Sequence, residues 1–168
     1  MFQEGGTFQL RTFSLLKGLP VIDINSGTKI GNVNDISISD NGMVKGLLIR
    51  KGALFKKTFL INVKDVFSFG WDGVMIADQS VLNQIEKSKA DNYTVVSENG
   101  LAGRMLMTQE GQRLGLLEDV YFQEEMGTIV GYELSDGFFS DMLEGKRVVK
   151  AEIPPAIGKD AIIVNVKE

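Results

Sequence analysis

The sequence predicts a mainly β protein: two tandem, small antiparallel β-barrels joined by a short α-helix. Two observations carry this. The first is an internal repeat, in which Gly27, Gly31 and Asp35 recur 84 positions later as Gly111, Gly115 and Asp119, and Ile30, Val33, Ile36 and Ile38 recur as Leu114, Leu117, Val120 and Phe122. The second is the spacing of strand signals, short runs of Val, Ile, Leu and Phe bounded by Gly, Asn and Asp every eight to twelve residues or so, as in small barrels and sandwiches. The boundaries predicted are a first barrel over 1–79, a helical linker over 80–92 and a second barrel over 93–168, each barrel enclosing its own apolar interior.

In the first copy, Leu19 to Ile24 reads as a strand, Asn25 to Lys29 as a turn and Ile30 to Ser39 as the next strand. Its alternation settles only after an irregularity that Gly31 supplies, since a glycine inside a strand marks a bulge or tight bend. Asp40-Asn41-Gly42 signals a hairpin turn. A two-residue loop would set Ile38 opposite Lys45, so a longer loop pairing Ile38 with Val44 or Gly46 is expected. Gly46 to Ile61 and Gly131 to Ile153 each read as a strand, an excursion opening at Gly52 or Gly137, and a return strand. Each copy closes with a strand and turn, from Val66 to Ala77 and from Ala156 to Val166. Between the copies, Ser80 to Ala90 places Val81, Leu82 and Ile85 on one helical face, and Asp91-Asn92 ends the helix.

These residues resemble the PRC-barrel domain family, named for the cytoplasmic part of the photosynthetic reaction-centre H subunit; a related barrel ends the ribosome maturation factor. The carrying stretch runs from Leu15 to Ser39: a glycine before an apolar strand, a Gly turn, then Ile30-Gly31-x-Val33-x-Asp35-Ile36. Leu101 to Phe122 matches it, with one residue fewer between Gly103 and Gly111 than between Gly18 and Gly27. The closing apolar-Pro segment of the family fits Glu152 to Ile157, while the first copy has Leu60 to Val66 there. The resemblance implies a partly open antiparallel barrel used as a binding or adaptor module, and it brings no catalytic residues. Its ribosomal member binds a ribosomal protein and its photosynthetic member packs against a membrane complex. Neither surface transfers residue by residue, because a shared fold does not carry function with it.

Composition narrows the chemistry. The 168 residues are 43% hydrophobic and 24% charged, enough apolar material for real cores. The longest apolar runs are four-residue pieces such as Ala161 to Val164, far short of the roughly 20 residues a membrane-crossing helix needs. The first ten residues lack a basic start and an apolar stretch, so a cytoplasmic protein is expected, and zero cysteines agree. Without histidine or cysteine the chain lacks the usual ligands for zinc, copper or iron-sulfur clusters and the usual neutral-pH proton shuttle. No cofactor, no metal and no enzymatic activity are expected.

Several motifs imitate catalytic sites. Ser14-x-x-Lys17 with Ser39-Asp40-Asn41 resembles two of the three serine β-lactamase motifs, but no helical domain or Lys-Thr-Gly strand accompanies them. Leu15 and Leu16 read instead as barrel strand, and Asn41-Gly42 as a turn. Ser39 to Lys45 has the glycine of a calcium loop without its ladder of oxygens. Glu118-Asp119 and Glu124-Glu125 are neighbours in sequence, so on a strand they point to opposite faces rather than across a sugar. Gly27-x-x-x-Gly31 lacks the Gly-Lys-Ser or Gly-Lys-Thr of a phosphate loop.

Two features remain as candidate partner-binding sites. Arg50, Lys51, Lys56 and Lys57 surround Leu54-Phe55 with no acid between Arg50 and Lys57. The matching excursion holds Phe138-Phe139 among Asp136, Asp141 and Glu144. The halves are charged oppositely: residues 1–90 hold 11 Lys or Arg against 8 Asp or Glu, and residues 91–168 hold 7 against 14. The plainer explanation is aromatics closing the barrel ends beneath solvated charges that drift cheaply. The sharper one is that the excursions contact protein partners, with homodimerisation as one form. Ribosome or RNA association, or docking on an anionic membrane surface through residues 50–57, is the alternative, though a pI near 5.0 fits nucleic acid poorly.

Overall fold

The computed structural model describes residues 10–52, 54, 56–85, 92–97, 99–135, 147–150 and 155–165. The repeat written in the sequence is repeated in the backbone. The first half contributes β2 (Pro20–Asp23), β3 (Thr28–Ser39), β4 (Val44–Lys51), β5 (Lys57–Asn62), β6 (Val66–Phe69) and β7 (Val74–Ile76). In the same order the second half contributes β10 (Met105–Thr108), β11 (Arg113–Gln123), β12 (Ile129–Ser135), β13 (Arg147–Lys150), β14 (Ala156–Ile157) and β15 (Ala161–Val164). Each set folds into one half-barrel sheet, ordered β6-β7-β2-β3-β4-β5 in the first and β14-β15-β10-β11-β12-β13 in the second.

The sheets are mixed rather than purely antiparallel. After the β6–β7 hairpin the last strand comes back beside the first, so β7 pairs parallel with β2, and β15 pairs parallel with β10 in the same way. That docking satisfies the backbone groups of β2 and β10 that a free edge would leave open.

The predicted irregularities stand where the glycines put them. Val21 pairs with Gly31 and Ile22 with Lys29, so Ile30 is an extra residue; Leu106 pairs with Gly115 and Met107 with Arg113, so Leu114 is its counterpart. The hairpin loop is the longer kind, with Ile38 opposite Val44. Gly31 and Gly115 also let the neighbouring strand approach. A Cβ on Gly31 would lie 2.6 Å from the Arg50 carbonyl oxygen, and one on Gly115 the same distance from the Ser135 carbonyl, with φ at +143° besides.

The segment expected to be a connecting helix is different over its described part. Gln79–Val81 form a single 3₁₀ turn, opened by the Asp78 carboxylate accepting the Ser80 N–H at 2.8 Å, and β8 (Asn83–Gln84) then pairs antiparallel with β5. The exposed outer edge of β5 offers these residues ladder hydrogen bonds, a stronger pull than the weak helical preference of a short stretch. Residues 86–91 lie outside the described residues. The helix the structure does have lies elsewhere: α1 (Phe13–Leu16) is one turn where barrel strand was expected, closed by the Lys17 N–H donating to the Phe13 carbonyl at 3.0 Å. It buries Phe13 and Leu16 and leaves Leu15 exposed.

Nor does each barrel keep its own interior. The buried residues of both halves form one continuous hydrophobic cluster, from Phe13 and Ile36 to Phe122 and Val164. The reason lies at the start of each repeat. β1 (Leu10–Thr12) does not join its own sheet but pairs with β11, Arg11 opposite Phe122; reciprocally β9 (Asn92–Tyr93) pairs with β3, Tyr93 opposite Ile38. Each copy thus lends its opening strand to the other, and α1 packs against both β11 and β3.

Gly31→Ala should lower stability by about 2 kcal/mol through overpacking, and Gly115→Ala by about 3 kcal/mol, since backbone strain adds to the clash. Urea unfolding of the two variants checks this, and wild-type midpoints for both would remove the close-approach explanation.

Candidate functional site at the seam between the repeats

The long strands β3 and β11 lose simple alternation in their second halves, where both faces are covered. In β3 the residues from Asp35 to Ile38 are all buried. A second bulge makes the change: Val33 pairs with Ile49 and Asp35 with Leu48, leaving Asn34 as the extra residue, and Glu118 repeats this in β11. The bulge places the recurrent aspartates inside the seam.

Asp35 is fully buried. Its carboxylate accepts the backbone N–H groups of Val95 at 2.8 Å, Val96 at 3.1 Å and Ser97 at 2.7 Å, together with the Ser97 hydroxyl at 2.5 Å and the adjacent Ile36 N–H at 2.8 Å. The three successive amides form a concave nest for an anion, filled by a side chain of the other repeat. Asp119 does the reciprocal work, accepting the Ser14 N–H at 3.1 Å, the Ser14 hydroxyl at 2.5 Å and the Val120 N–H at 2.8 Å. Ser14, one half of the β-lactamase imitation, is thereby a clasp between repeats.

Arg11 is the other fixture of the seam. Only 2% exposed, it donates from Nε to Glu124 at 2.8 Å, from Nη1 to the Gly70 carbonyl at 3.0 Å and from Nη2 to the Phe69 carbonyl at 2.6 Å. Its guanidinium carbon sits 4.7 Å from the centre of the Trp71 ring, a cation–π contact. Arg11 thus ties β1, standing on the second sheet, back to the β6–β7 turn of the first. The mirrored place is held by different chemistry: the Tyr93 hydroxyl donates to the Ile157 carbonyl at 3.3 Å, and Arg104 donates to the Gly158 carbonyl at 2.9 Å. Where the two hairpin turns meet, Met43 bridges to Thr128 and a groove of about 990 Å³ opens between Met43, Val63, Tyr93 and Met126.

The ionisable groups follow their surroundings. Burial raises the pKa of Glu124 above its ordinary 4.5, the Arg11 hydrogen bond and charge pull it partly back, and neighbouring Glu125 adds a smaller upward push. The Tyr132 hydroxyl is buried and has no hydrogen-bond partner among the described residues, and burial pushes its pKa up, so it is a neutral phenol at physiological pH.

The candidate residues of the first excursion are gathered at one hairpin end. Arg50 stands near the end of β4 opposite Thr58, and Lys51 closes the strand opposite Lys57; Arg50, Lys56 and Lys57 are exposed, and Leu54 is 90% exposed. Lys51 is half-buried and donates to the Gln79 side chain at 2.9 Å. Leu54 therefore closes no barrel end. Phe55, Phe138 and Phe139 lie outside the described residues. The seam goes beyond the sequence expectations, and the signal that marks it is a polar Asp recurring in register among apolar positions.

Set beside known proteins, the two halves are alike in kind. The family model of the PRC-barrel domain matches residues 9–82 and again 93–168. The chain belongs to the PRC-barrel family. It is also 34% identical over 158 residues to the uncharacterized protein YrrD of Bacillus subtilis (strain 168), covering 93% of this chain and 88% of that one. Both PRC-barrel matches take in the exchanged strands, β1 in the first and Tyr93 of β9 in the second. No helix among the described residues is long and apolar enough to cross a membrane.

Two outcomes follow for the seam. Asp35→Ala should cost about 3 kcal/mol and Asp119→Ala about 2 kcal/mol in urea unfolding, because five and three donors respectively lose a charged acceptor; equal, near-zero losses would show that the nest carries no stability. For Glu124 the raised folded-state pKa means the folded form binds the proton more tightly than the unfolded one. Its contribution is greatest below 4.5 and declines as pH rises through the raised value. Wild type should therefore lose stability relative to Glu124→Gln over that window and run parallel to it at neutral pH, a slope that paired denaturation curves at stepped pH would show or refute.

Proposed function

We propose that the chain is a non-catalytic, cytoplasmic interaction module that binds protein partners through the loops at its barrel ends, the 50–57 hairpin first among them. The carrying observation is Leu54, 90% exposed on a tip whose flanking Arg50, Lys56 and Lys57 are also exposed. An apolar tip ringed by cations, with no acid between Arg50 and Lys57, is suited to an acidic surface with an apolar recess. The seam supports the reading from the other side. Its buried carboxylates, arginine and hydroxyls are engaged in holding the repeats together, which makes a rigid platform for exposed loops.

The same cations would serve an RNA backbone or an anionic bilayer, and salt-sensitive pelleting with anionic liposomes separates the bilayer from RNA. The direct experiment is the double variant Lys56→Glu/Lys57→Glu. Self-association and crosslinked partner capture at low salt should both be compared with wild type, and loss of capture at least tenfold is expected. Unchanged behaviour in both would overturn the role of this hairpin.

A further inference from the structure

Exposed apolar side chains gather at the Arg11 end of the seam. Trp71, 66% exposed, lies in the β6–β7 turn against the Arg11 guanidinium. Phe67, 69% exposed, lines a cleft of about 410 Å³ that Glu124 and Glu125 also line. Leu10 precedes Arg11, Met126 follows Glu125, and both are exposed. Arg11 and Glu124 are paired with each other, so the exposed charges of this rim are Asp72, Glu125 and Lys64, two acids to one cation. The equivalent turn of the second repeat, Gly158-Lys159-Asp160, has no aromatic residue, so the fold alone does not require the patch. Single exposed apolar residues are ordinary, whereas Trp, Phe and Met gathered beside an Arg have the composition of an interface core.

We propose that this patch receives the 50–57 hairpin of a second copy of the chain, with Leu54 entering the cleft beside Phe67 and the hairpin's cations facing Asp72 and Glu125. The two surfaces complement each other. One is an apolar tip ringed by Arg50, Lys56 and Lys57, and the other is an aromatic recess with an acidic rim. A chain cannot fill its own recess. Val44, at the start of β4, lines one groove with Glu125 and Met126, while the tip lies beyond Lys51 at the other end of that strand, about 23 Å away at the usual strand rise. The platform is also stiff. Trp71 stacks on an Arg11 that three hydrogen bonds fix in place, so it has little freedom left to lose on binding. The inference rests on the reading of the 50–57 hairpin as a contact surface, and it names the chain itself as the acidic partner.

The test is sedimentation of the full chain over a range of concentrations. At low salt the wild type should self-associate, and raising the salt should weaken this roughly tenfold, as screening of facing charges requires. Lys56→Glu/Lys57→Glu and Asp72→Lys/Glu125→Lys should each abolish association alone, since each sets like charges against one another. An equimolar mixture of the two variants should restore it, because the reversed tip then meets the reversed rim. Phe67→Ser should weaken association at least tenfold with the urea midpoint unchanged. A wild type that stays monomeric at its highest soluble concentration would overturn the proposal, as would a mixture that fails to associate. Association that survives Asp72→Lys/Glu125→Lys would overturn the placement on this patch. If the wild type is monomeric while Lys56- and Lys57-dependent capture of another protein persists, this inference falls and the reading of the hairpin stands; if Lys56→Glu/Lys57→Glu alters neither, both fall.

Discussion

Two buried carboxylates hold this molecule in its arrangement. A charge at the position of Asp35 is tolerable only because five donors converge on it, three of them successive backbone amides that would otherwise be orphaned where β9 ends. Those amides belong to the other repeat, so the requirement to satisfy a buried charge becomes a requirement that the repeats stay together. Asp119 imposes the same condition in the opposite direction through Ser14. The exchange of β1 and β9 and the merging of the two cores accompany this reciprocal anchoring, and Arg11 adds a third tie by closing the Phe69 and Gly70 carbonyls from across the seam.

What the sequence made legible was whatever depends on local chemistry. Gly31 and Gly115 bend their strands because no side chain fits against the Arg50 and Ser135 carbonyls, and that need is visible in an alternation that slips at the glycine. The hairpin at Asn41-Gly42 could be registered from the impropriety of burying Lys45 beside Ile38. The PRC-barrel family was recognisable because those same glycines recur in the same register twice.

What stayed hidden depends on which of two equally good partners a segment chooses. Nothing in Leu10-Arg11-Thr12 says whether it should lie on β3 or β11, since both strands offer the same edge. The helical pattern of Val81, Leu82 and Ile85 was real as a pattern, but an open neighbouring strand outbid it for the chain's hydrogen bonds, at least through Gln84. Conversely Ser14 to Leu16 carries no strong helix signal and turns once because it must pass from β1 on one sheet to β2 on the other while burying Phe13 and Leu16. Of the candidate site, the sequence shows the run of cations around Leu54, while the exposure of Leu54 is a property of the folded hairpin.

The crossing of opening strands has an evolutionary consequence. A change at Phe13 or Val95 is felt in the neighbouring lobe as much as at home, so the inner faces of the duplicates are tied to one another and can alter only in concert. Their outward loops carry no such obligation. Divergence is channelled to the periphery, where one duplicate has become basic and the other acidic without loosening the clasp between them.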